Sequence, residues 1–388
     1  MAKIELIATA TFGLEALVGR EIEALGQDEV RVENSRVVFQ AETSEIPRCN
    51  LWLRSADRVL IKVGEFQALS YDELFEGTKA LPWDEWLPEN ACFPVNGKSV
   101  KSKLFSVPDC QSIVKKAIVE KLKSRYRKSW FEETGPKYTV EVALLRDTAT
   151  LTIDTSGAGL HKRGYRKLSA PAPLKETLAA AMIALSYWNP ERVLVDPFCG
   201  SGTIPIEAAL IGLNIAPGLQ REFISEQWPQ LPAEDWRKAR QEANDLIRRD
   251  RGLKIVGTDI DDEVLSLARY HCKLAGLEGR IHWQRLAVSD LRNSHKYGCV
   301  ICNPPYGERL GERLEVERLY QTMRQVFDAL DTWSVYILSA FPDFERVYGK
   351  RPDRKRKLYN GRIECQYYQY YGPRPPRPES GPEAVSEE

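Results

Sequence analysis

The chain has 388 residues, of which 55 are basic and 55 acidic, so its formal net charge at pH 7 is zero. This length exceeds one hydrophobic core and predicts two or three domains. No apolar run reaches the 18 or so residues of a membrane span, and no basic and apolar leader opens the chain, so we expect a cytoplasmic protein. Eight scattered cysteines favour free thiols over disulfides, and no metal site is expected because Cys299 and Cys302 have no second pair.

The first part of the chain alternates strand-like and helix-like segments. Apolar spacing predicts a strand over residues 4–10, a helix over 13–25, a strand over 30–39 and, after a helix-like stretch, a strand over 59–66. This pattern predicts a small α+β unit, which we assign to residues 1–65.

Residues 66–157 contain an uneven distribution of charge. Between Lys98 and Lys128 there are ten basic residues and two acidic ones, and residues 113–126 of this segment have the spacing of an amphipathic helix. Two strands, 138–145 and 148–154, are predicted to pair antiparallel. Local positive charge in a neutral chain favours contacts with RNA phosphates, although a solvated helix face gives the same pattern. The candidate RNA-binding residues are Lys98, Lys101, Lys103, Lys115, Lys116 and Arg163.

From residue 158 onward strands and helices alternate, which predicts a doubly wound α/β sheet with an antiparallel closing strand. The predicted strands are 192–196, 254–259, 280–287, 298–303, 333–339 and the closing strand 363–371, and the predicted helices are 174–188, 203–212, 261–275 and 315–330. Residues 214–251 interrupt this order, and we expect them to cover the carboxyl edge of the sheet. This domain is assigned to 158–372, and the Pro-, Gly-, Ser- and Glu-rich tail 373–388 is expected to be disordered.

The first strand of this domain ends in a glycine-rich turn that begins at Asp196. Gly200 and Gly202 permit positive φ and close approach of a ligand. Pro205 occupies the position of the third glycine of a dinucleotide fingerprint, and no Gly-Lys-Ser/Thr follows, so NAD and a phosphate-binding loop are both disfavoured. A carboxylate at Asp196 suits S-adenosylmethionine, which carries an ammonium and a sulfonium group.

Two further acids follow the next two strands. Asp259 can accept both hydroxyls of a ribose, and Asp290 can accept from an adenine amino group. Each of these acids, and Asp261, could instead cap a helix. The candidate cofactor-binding residues are Asp196, Phe198, Cys199, Gly200, Ser201, Gly202, Thr203, Asp259, Ile260, Asp290 and Leu291.

A short apolar run leads directly into the tetrad Asn303-Pro304-Pro305-Tyr306. The prolines fix φ near −65° and remove two backbone donors, so the turn offers carbonyls and the Asn303 amide oxygen as acceptors. Such acceptors suit an exocyclic NH₂ group, and Tyr306 offers a face on which a base can stack. These four residues are the candidate catalytic residues, whereas Cys302 is disfavoured as a nucleophile because it lies inside the predicted strand.

The motifs together resemble the THUMP-domain RNA methyltransferases of the RlmL and YpsC type. The resemblance is carried by Asp196 to Thr203, by Asn303 to Leu310, by Leu160 to Arg166 and by Ala172 to Glu176. It implies a ferredoxin-like segment over 1–65, an RNA-binding THUMP domain over 66–157 and a Rossmann-like class I methyltransferase domain over 158–372. It further implies methyl transfer from S-adenosylmethionine to N2 of a guanine, in 23S rRNA rather than in tRNA.

Other functions use the same tetrad. An adenine-N6 DNA methyltransferase and a protein glutamine methyltransferase also act on amino groups, but neither needs the first 155 or so residues with their basic segment. A non-catalytic RNA-binding protein that keeps the fold is a further alternative, and the intact acids and tetrad argue against it.

Overall fold

Two seven-stranded sheets, one in each half of the chain, form the protein in the computed structural model. The structure describes residues 3–168, 174–307 and 313–376. Ala172, Pro173 and the segment from Glu308 to Leu310, which carry part of the family resemblance, lie outside the described residues. The predicted disordered tail also lies outside them from residue 377 onward.

The N-terminal sheet has the strand order β2-β3-β1-β4-β7-β6-β5, and its neighbouring strands are antiparallel except for β5 and β6. The elements of this half are β1 (Lys3–Ala10), α1 (Glu15–Ala24), β2 (Asp28–Glu33), β3 (Arg36–Glu42), α2 (Ile46–Trp52), β4 (Ala56–Gln67), α3 (Tyr71–Ala80), α4 (Trp83–Trp86), β5 (Val95–Val100), α5 (Val107–Tyr126), β6 (Thr139–Leu145) and β7 (Thr148–Asp154). The prediction of one strand over 30–39 was wrong, because Asn34 and Ser35, with Ser35 at φ +61°, form the turn of the hairpin β2–β3.

The helices of this half cover one face of the sheet. Side chains from α1, α2, α3 and α5, such as Val18 and Val114, share one core with inward-facing strand residues such as Leu6 and Val142. The expected boundary after residue 65 falls inside β4, so the two N-terminal units share a strand and a continuous sheet.

The C-terminal sheet has the order β10-β9-β8-β11-β12-β14-β13, in which the first five strands are parallel and β14 pairs antiparallel with both β12 and β13. Its elements are α6 (Glu176–Ala184), β8 (Leu194–Asp196), α7 (Thr203–Gly212), α8 (Ala233–Asp245), β9 (Ile255–Asp259), α9 (Asp262–Leu274), β10 (His282–Arg285), β11 (Cys299–Cys302), α10 (Arg313–Asp328), β12 (Ser334–Ser339), α11 (Phe344–Tyr348), β13 (Arg354–Asn360) and β14 (Ile363–Tyr370). The predicted doubly wound sheet with an antiparallel closing strand is confirmed. The sequence did not predict strand β13, because its residues Arg354–Asn360 are mostly basic and show no apolar alternation.

This sheet is buried on both faces, as parallel sheets usually are. Leu194 of β8 packs in a core with Met182 and Ile206, whereas its neighbour Val195 packs in a second core with Tyr320. Because successive residues of a strand point to opposite faces, the two cores lie on the two sides of the sheet.

The expectation that residues 214–251 cover the carboxyl edge of this sheet was wrong. Trp228 stacks on Tyr138 with ring centroids 4.4 Å apart, and its indole nitrogen donates to the carbonyl oxygen of Lys137. Trp236 of α8 belongs to the N-terminal core. The insertion therefore packs on the N-terminal half, because its buried indoles complete that core.

Candidate active site

A cavity of about 740 Å³ lies beyond the carboxyl ends of the parallel strands. The strand order reverses between the neighbouring strands β8 and β11, and the cavity lies at this point. Open α/β sheets usually bind their ligands there. Its lining residues are Pro197, Phe198, Asp259, Ile260, Ala287, Val288, Ser289, Asn303, Pro304, Pro305, Tyr306, Gly307, Leu319, Thr322, Asn360 and Ile363.

Asp259 is held in the cavity wall by backbone donors. The Gly200 N–H donates to its Oδ2 at 3.0 Å, and the Asp261 N–H donates to its Oδ1 at 3.1 Å. Asp261 in turn accepts from the Glu263 N–H at 2.9 Å and caps α9. The two acids therefore divide the two roles that the sequence left open: Asp261 caps the helix, and Asp259 faces the cavity.

The glycine-rich turn requires Gly202. This residue has φ +88°, and a Cβ added to it would lie 2.8 Å from the Trp283 ring. Any larger residue would push Trp283 away and strain the backbone that begins α7.

Asp196 lies beneath the cavity and not in its lining. The carboxyl group is 1% exposed and accepts from the Phe198 N–H at 3.1 Å. Burial raises the pKa of Asp196 well above its ordinary value, and the nearby Asp259 carboxylate raises it further.

The remaining predicted cofactor residues fall into three groups. Phe198 and Ile260 line the cavity. The turn residues Cys199, Gly200, Ser201, Gly202 and Thr203 shape the wall behind it, where the Thr203 hydroxyl accepts from Arg166. Asp290 follows β10 and is exposed, Leu291 is buried, and the cavity wall there consists of residues 287–289.

The tetrad contributes all four of its residues to the cavity. The Tyr306 hydroxyl donates to the Asn303 Oδ1, and burial raises the pKa of Tyr306 far above its ordinary value, so this donor keeps its proton. The Tyr320 hydroxyl donates to the Pro305 carbonyl at 2.7 Å and lies 3.2 Å from the Ser339 hydroxyl. Side chains from two elements therefore fix the turn that offers the acceptors.

The candidate site residues did not include nine of the lining residues. Five of these, Pro197, Ala287, Val288, Ser289 and Gly307, are within two residues of a predicted site residue or strand, whereas four lie elsewhere in the chain, namely Leu319, Thr322, Asn360 and Ile363. The last two flank the two-residue turn of the hairpin β13–β14, in which Gly361 has φ +65°. Asn-Gly before an alternating strand is a strong hairpin signal, so this pair could have been found.

The structure does not bring the predicted RNA-binding lysines onto one surface. Gly97 of β5 faces α5, since a Cβ on it would meet Gln111 and Val107, so the next residue, Lys98, faces the opposite side of the sheet. Lys98 pairs there with Glu141 at 2.8 Å. Lys101 and Lys103 are exposed in the loop after β5, and the Lys103 N–H donates to Asp147 in the β6–β7 turn.

The two lysines of α5 lie on the helix-covered side. Lys115 is only partly exposed, pairs with Glu133 at 2.5 Å and lies 3.5 Å from the centre of the Phe93 ring. Lys116 is exposed on the same helix.

The assignment of Arg163 to RNA binding was wrong. Its side chain is 2% exposed and pairs with the fully buried Glu207 at 3.3 Å. The guanidinium also donates to the carbonyls of Leu160 and Arg54. With these partners in the interior, Arg163 joins the two halves of the protein and has no surface for a phosphate.

Within the described ranges, no helix is long and apolar enough to cross a membrane. In the same part of the chain, no group of three or more His, Cys, Asp or Glu side chains is arranged to hold a metal ion.

A doubly wound sheet closed by an antiparallel strand, with a cavity at the carboxyl ends of its parallel strands and an Asn-Pro-Pro-Tyr turn after β11, is the architecture of a class I methyltransferase domain. Here it follows a ferredoxin-like and THUMP module. Residues 163–369 match the family described as RMKL-like, methyltransferase domain, and the chain belongs to this family. Residues 5–60 match the RlmL ferredoxin-like domain and residues 68–154 the THUMP domain.

Several relatives match nearly the whole chain, among them the following two. YpsC of Bacillus subtilis (strain 168), named as a candidate RNA methyltransferase, is 52% identical over 373 residues, which are 96% of this chain and 97% of YpsC. The ribosomal RNA large subunit methyltransferase K/L of Syntrophotalea carbinolica (strain DSM 2380 / NBRC 103641 / GraBd1) is 35% identical over 380 residues. That match covers 94% of this chain but 53% of the K/L protein, so the chain spans about half of its length.

Several solved structures share this fold over nearly the whole chain, among them the following two. One, described as a predicted N6-adenine-specific DNA methylase from Listeria monocytogenes str. 4b F2365, is 53% identical with a TM-score of 0.92, covering 96% of this chain and 97% of that one. The other, SMU.472, described as a candidate methyltransferase complexed with SAH, is 45% identical with a TM-score of 0.92, covering 97% of this chain and 100% of that one.

Proposed function

We propose that this protein transfers a methyl group from S-adenosylmethionine to the exocyclic N2 of a guanine in RNA, with 23S rRNA as the favoured substrate and the cytoplasm as its location. The observation that carries the proposal is that Asp259 and the tetrad line one cavity. The Asp259 carboxylate could then bind the cofactor's hydroxyls while the tetrad binds the amine of the base in the same cavity.

The residues present fit S-adenosylmethionine. Each oxygen of Asp259 already accepts one backbone N–H and keeps a lone pair for a ribose hydroxyl. Phe198 and Ile260, whose side chain is 66% exposed, offer apolar surface for the adenine ring. The relative SMU.472 was solved with SAH. When bound, the cofactor supplies an electrophilic methyl group.

On the acceptor side, Asn303 Oδ1 and the Pro304 carbonyl would accept the two N–H hydrogens of the guanine amine. These bonds orient the nitrogen and increase its electron density, and most of the rate acceleration comes from this positioning. Tyr306 holds the Asn303 amide in place through its hydroxyl. A strong general base is not needed, because the amine becomes acidic once it is methylated.

The base must leave its stack to reach this cavity. The N-terminal half would hold the surrounding RNA with the face of its sheet that the helices leave uncovered. That face has a groove of about 720 Å³, and its lining includes Thr9, Arg36, Lys98, Glu141, Arg146 and Thr150. Lys101 and Lys103 lie beside the edge of this groove. We therefore propose that Lys98, Lys101 and Lys103 contact RNA phosphates, in preference to Lys115 and Lys116.

Adenine N6 is the second candidate acceptor, because the tetrad serves that amine equally well and the Listeria relative carries that description. The test offers purified enzyme and labelled cofactor to deproteinised 23S rRNA, mature ribosomes, bulk tRNA and DNA. N2-methylguanosine in the 23S rRNA is the expected product. N2-methylguanosine in tRNA alone would contradict 23S rRNA as the substrate. N6-methyladenosine in any sample would contradict guanine N2 as the methyl acceptor.

A further inference from the structure

The loop between β5 and α5, residues 101–106, exposes a phenylalanine ring at one end of the N-terminal sheet. Leu104 of this loop is buried in the N-terminal core, whereas the next residue, Phe105, is 82% exposed. No other large apolar side chain of the described residues is more exposed. A binding partner that covered this ring would remove apolar surface from water.

Hydrogen bonds to the neighbouring β6–β7 turn hold the loop in one shape. The Lys103 N–H donates to Asp147 Oδ1 at 2.6 Å, and the Asp147 N–H donates to the Ser102 hydroxyl at 3.0 Å. The Ser99 hydroxyl donates to the Leu104 carbonyl at 2.7 Å. The exposure of Phe105 is therefore a property of an anchored loop.

Three exposed basic residues belong to the same loop and turn. Lys101 and Lys103 lie in the loop, and Arg146 lies in the turn. The Arg146 N–H donates to the Val100 carbonyl at 3.2 Å, so the turn and the start of the loop adjoin. Among the described residues, none of these three side chains forms an ion pair. Their charges are therefore available to anionic groups of a partner.

Apolar side chains of the uncovered sheet face lead up to this loop. Val100 and Leu145 are cross-strand neighbours at the ends of β5 and β6, and each is about half-exposed. Both line the groove of the uncovered face, as Arg146 does. Exposed apolar groups that gather at one place mark a binding surface more often than single ones do.

A single strand of nucleic acid matches this combination of groups. Its phosphates carry the negative charge that the unpaired cations attract, and its unstacked bases offer flat faces to an aromatic ring. In a duplex the faces of the bases are covered by their neighbours, so only the phosphates remain available.

We propose that Phe105 stacks on an unpaired base of the substrate RNA. The phosphates on either side of that base contact Lys101, Lys103 and Arg146. This inference rests on the proposed function and adds a base contact to the phosphate contacts of the N-terminal half. The contact does not depend on the identity of the base, because every base has an aromatic face.

The test measures the affinity of two labelled probes by fluorescence anisotropy at several salt concentrations. One is oligo(U) of about ten nucleotides, a usual site size for single-strand binding. The other has the same sugar–phosphate backbone without bases. Wild type should bind oligo(U) more tightly than the abasic probe. Phe105→Ala should weaken oligo(U) binding about five- to a hundredfold, the usual effect of losing one stacked base, and leave the abasic probe within about twofold. The salt dependence should keep its slope, because no phosphate contact is lost.

Three further variants separate stacking from other effects. Phe105→Trp keeps a flat ring and should retain the affinity, whereas Phe105→Leu keeps apolar surface without a ring and should bind as Phe105→Ala does. Trp130→Ala is the matched control, because Trp130 is also exposed but follows the other end of α5. It should leave both affinities unchanged. Thermal unfolding at the wild-type temperature confirms that each variant is folded.

Several results would overturn the role of Phe105. These are wild-type oligo(U) affinity in Phe105→Ala or in Phe105→Leu, an equal loss for both probes, no wild-type preference for oligo(U), and a loss of affinity confined to Trp130→Ala. The proposed function would survive each of them, because methylation of 23S rRNA by wild type is measured separately. Absence of N2-methylguanosine from that reaction would contradict the proposed function and leave the result on Phe105 unchanged.

Discussion

The two seven-stranded sheets present their polar residues in different places. The N-terminal sheet is mainly antiparallel, has its helices on one side, and exposes a groove lined by Arg36, Lys98 and Thr150 on the other. The C-terminal sheet is buried on both faces by two cores, and its polar residues appear where strands end, as Asp259 and Asn303 do.

This difference follows from strand direction. Parallel strands need crossover helices that cover both faces, so their backbone and side chains reach ligands only at the strand ends. An antiparallel sheet can leave one face in water. The N-terminal half therefore offers a groove on an uncovered sheet face, which we propose for RNA, and the C-terminal half offers a cavity at its strand ends, which we propose for the base and the cofactor.

The largest effect on stability is expected from breaking the buried ion pair between Arg163 and Glu207, which connects the two halves of the protein. Arg163→Met leaves Glu207 buried without its charged partner and should lower the free energy of unfolding by about 3–5 kcal/mol. Chemical denaturation measures this loss. The double variant Arg163→Met with Glu207→Leu should recover much of it, and a single variant as stable as wild type would contradict the assignment of Arg163 to the interior.

Asn303→Ala should reduce single-turnover methylation about a hundredfold or more, because the amine loses the acceptor that orients it. S-adenosylmethionine affinity should stay within a fewfold of wild type, since Asn303 acts on the other ligand. Near-normal turnover in this variant would mean that the turn does not position the amine.

Asp259→Ala should weaken S-adenosylmethionine by about 1–3 kcal/mol, because the ribose hydroxyls lose a charged acceptor. Calorimetry measures the affinity, and circular dichroism confirms the fold. Asp261→Ala is the matched control, because it removes a helix cap without removing a cavity residue. If the two variants bind the cofactor equally well, Asp259 is not a ribose ligand.

The smallest effect is expected on the N-terminal surface. Lys98→Glu and Lys103→Glu should each reduce the salt dependence of RNA affinity by a slope of about one unit, because one phosphate contact is lost. Lys116→Glu on the helix-covered side is the control and should change this slope less. Methylation at saturating RNA should be nearly unchanged, and a slope altered only by Lys116→Glu would place the RNA on the other face.

The sequence was most informative about residues at the ends of the parallel strands. The sequence predicted that Asp259 and Asn303 lie at the cavity, because the carboxyl ends of parallel strands meet at one edge of an α/β sheet. The same reasoning failed for Asp196 and Asp290, which are not among the residues that line the cavity. The alternation of strands and helices also predicted the doubly wound sheet with its antiparallel closing strand.

Sequence reasoning failed where a residue's role depends on its distant partners. Arg163 looked like a phosphate ligand, but Glu207, 44 positions later, buries it. The tryptophans of residues 214–251 gave no sign of which core they complete. Asn360 was missed because the basic strand before it carries no apolar alternation.

The central claim is that one cavity binds the cofactor through Asp259 and the guanine amine through Asn303. The most direct test follows single-turnover formation of N2-methylguanosine in 23S rRNA while S-adenosylmethionine is raised to saturation. We expect Asp259→Ala to recover most of its methylation rate at high cofactor concentration, whereas Asn303→Ala should stay slow at every concentration. If the rate of Asn303→Ala recovers at high cofactor concentration, or if the rate of Asp259→Ala does not increase, the two residues do not have these separate roles.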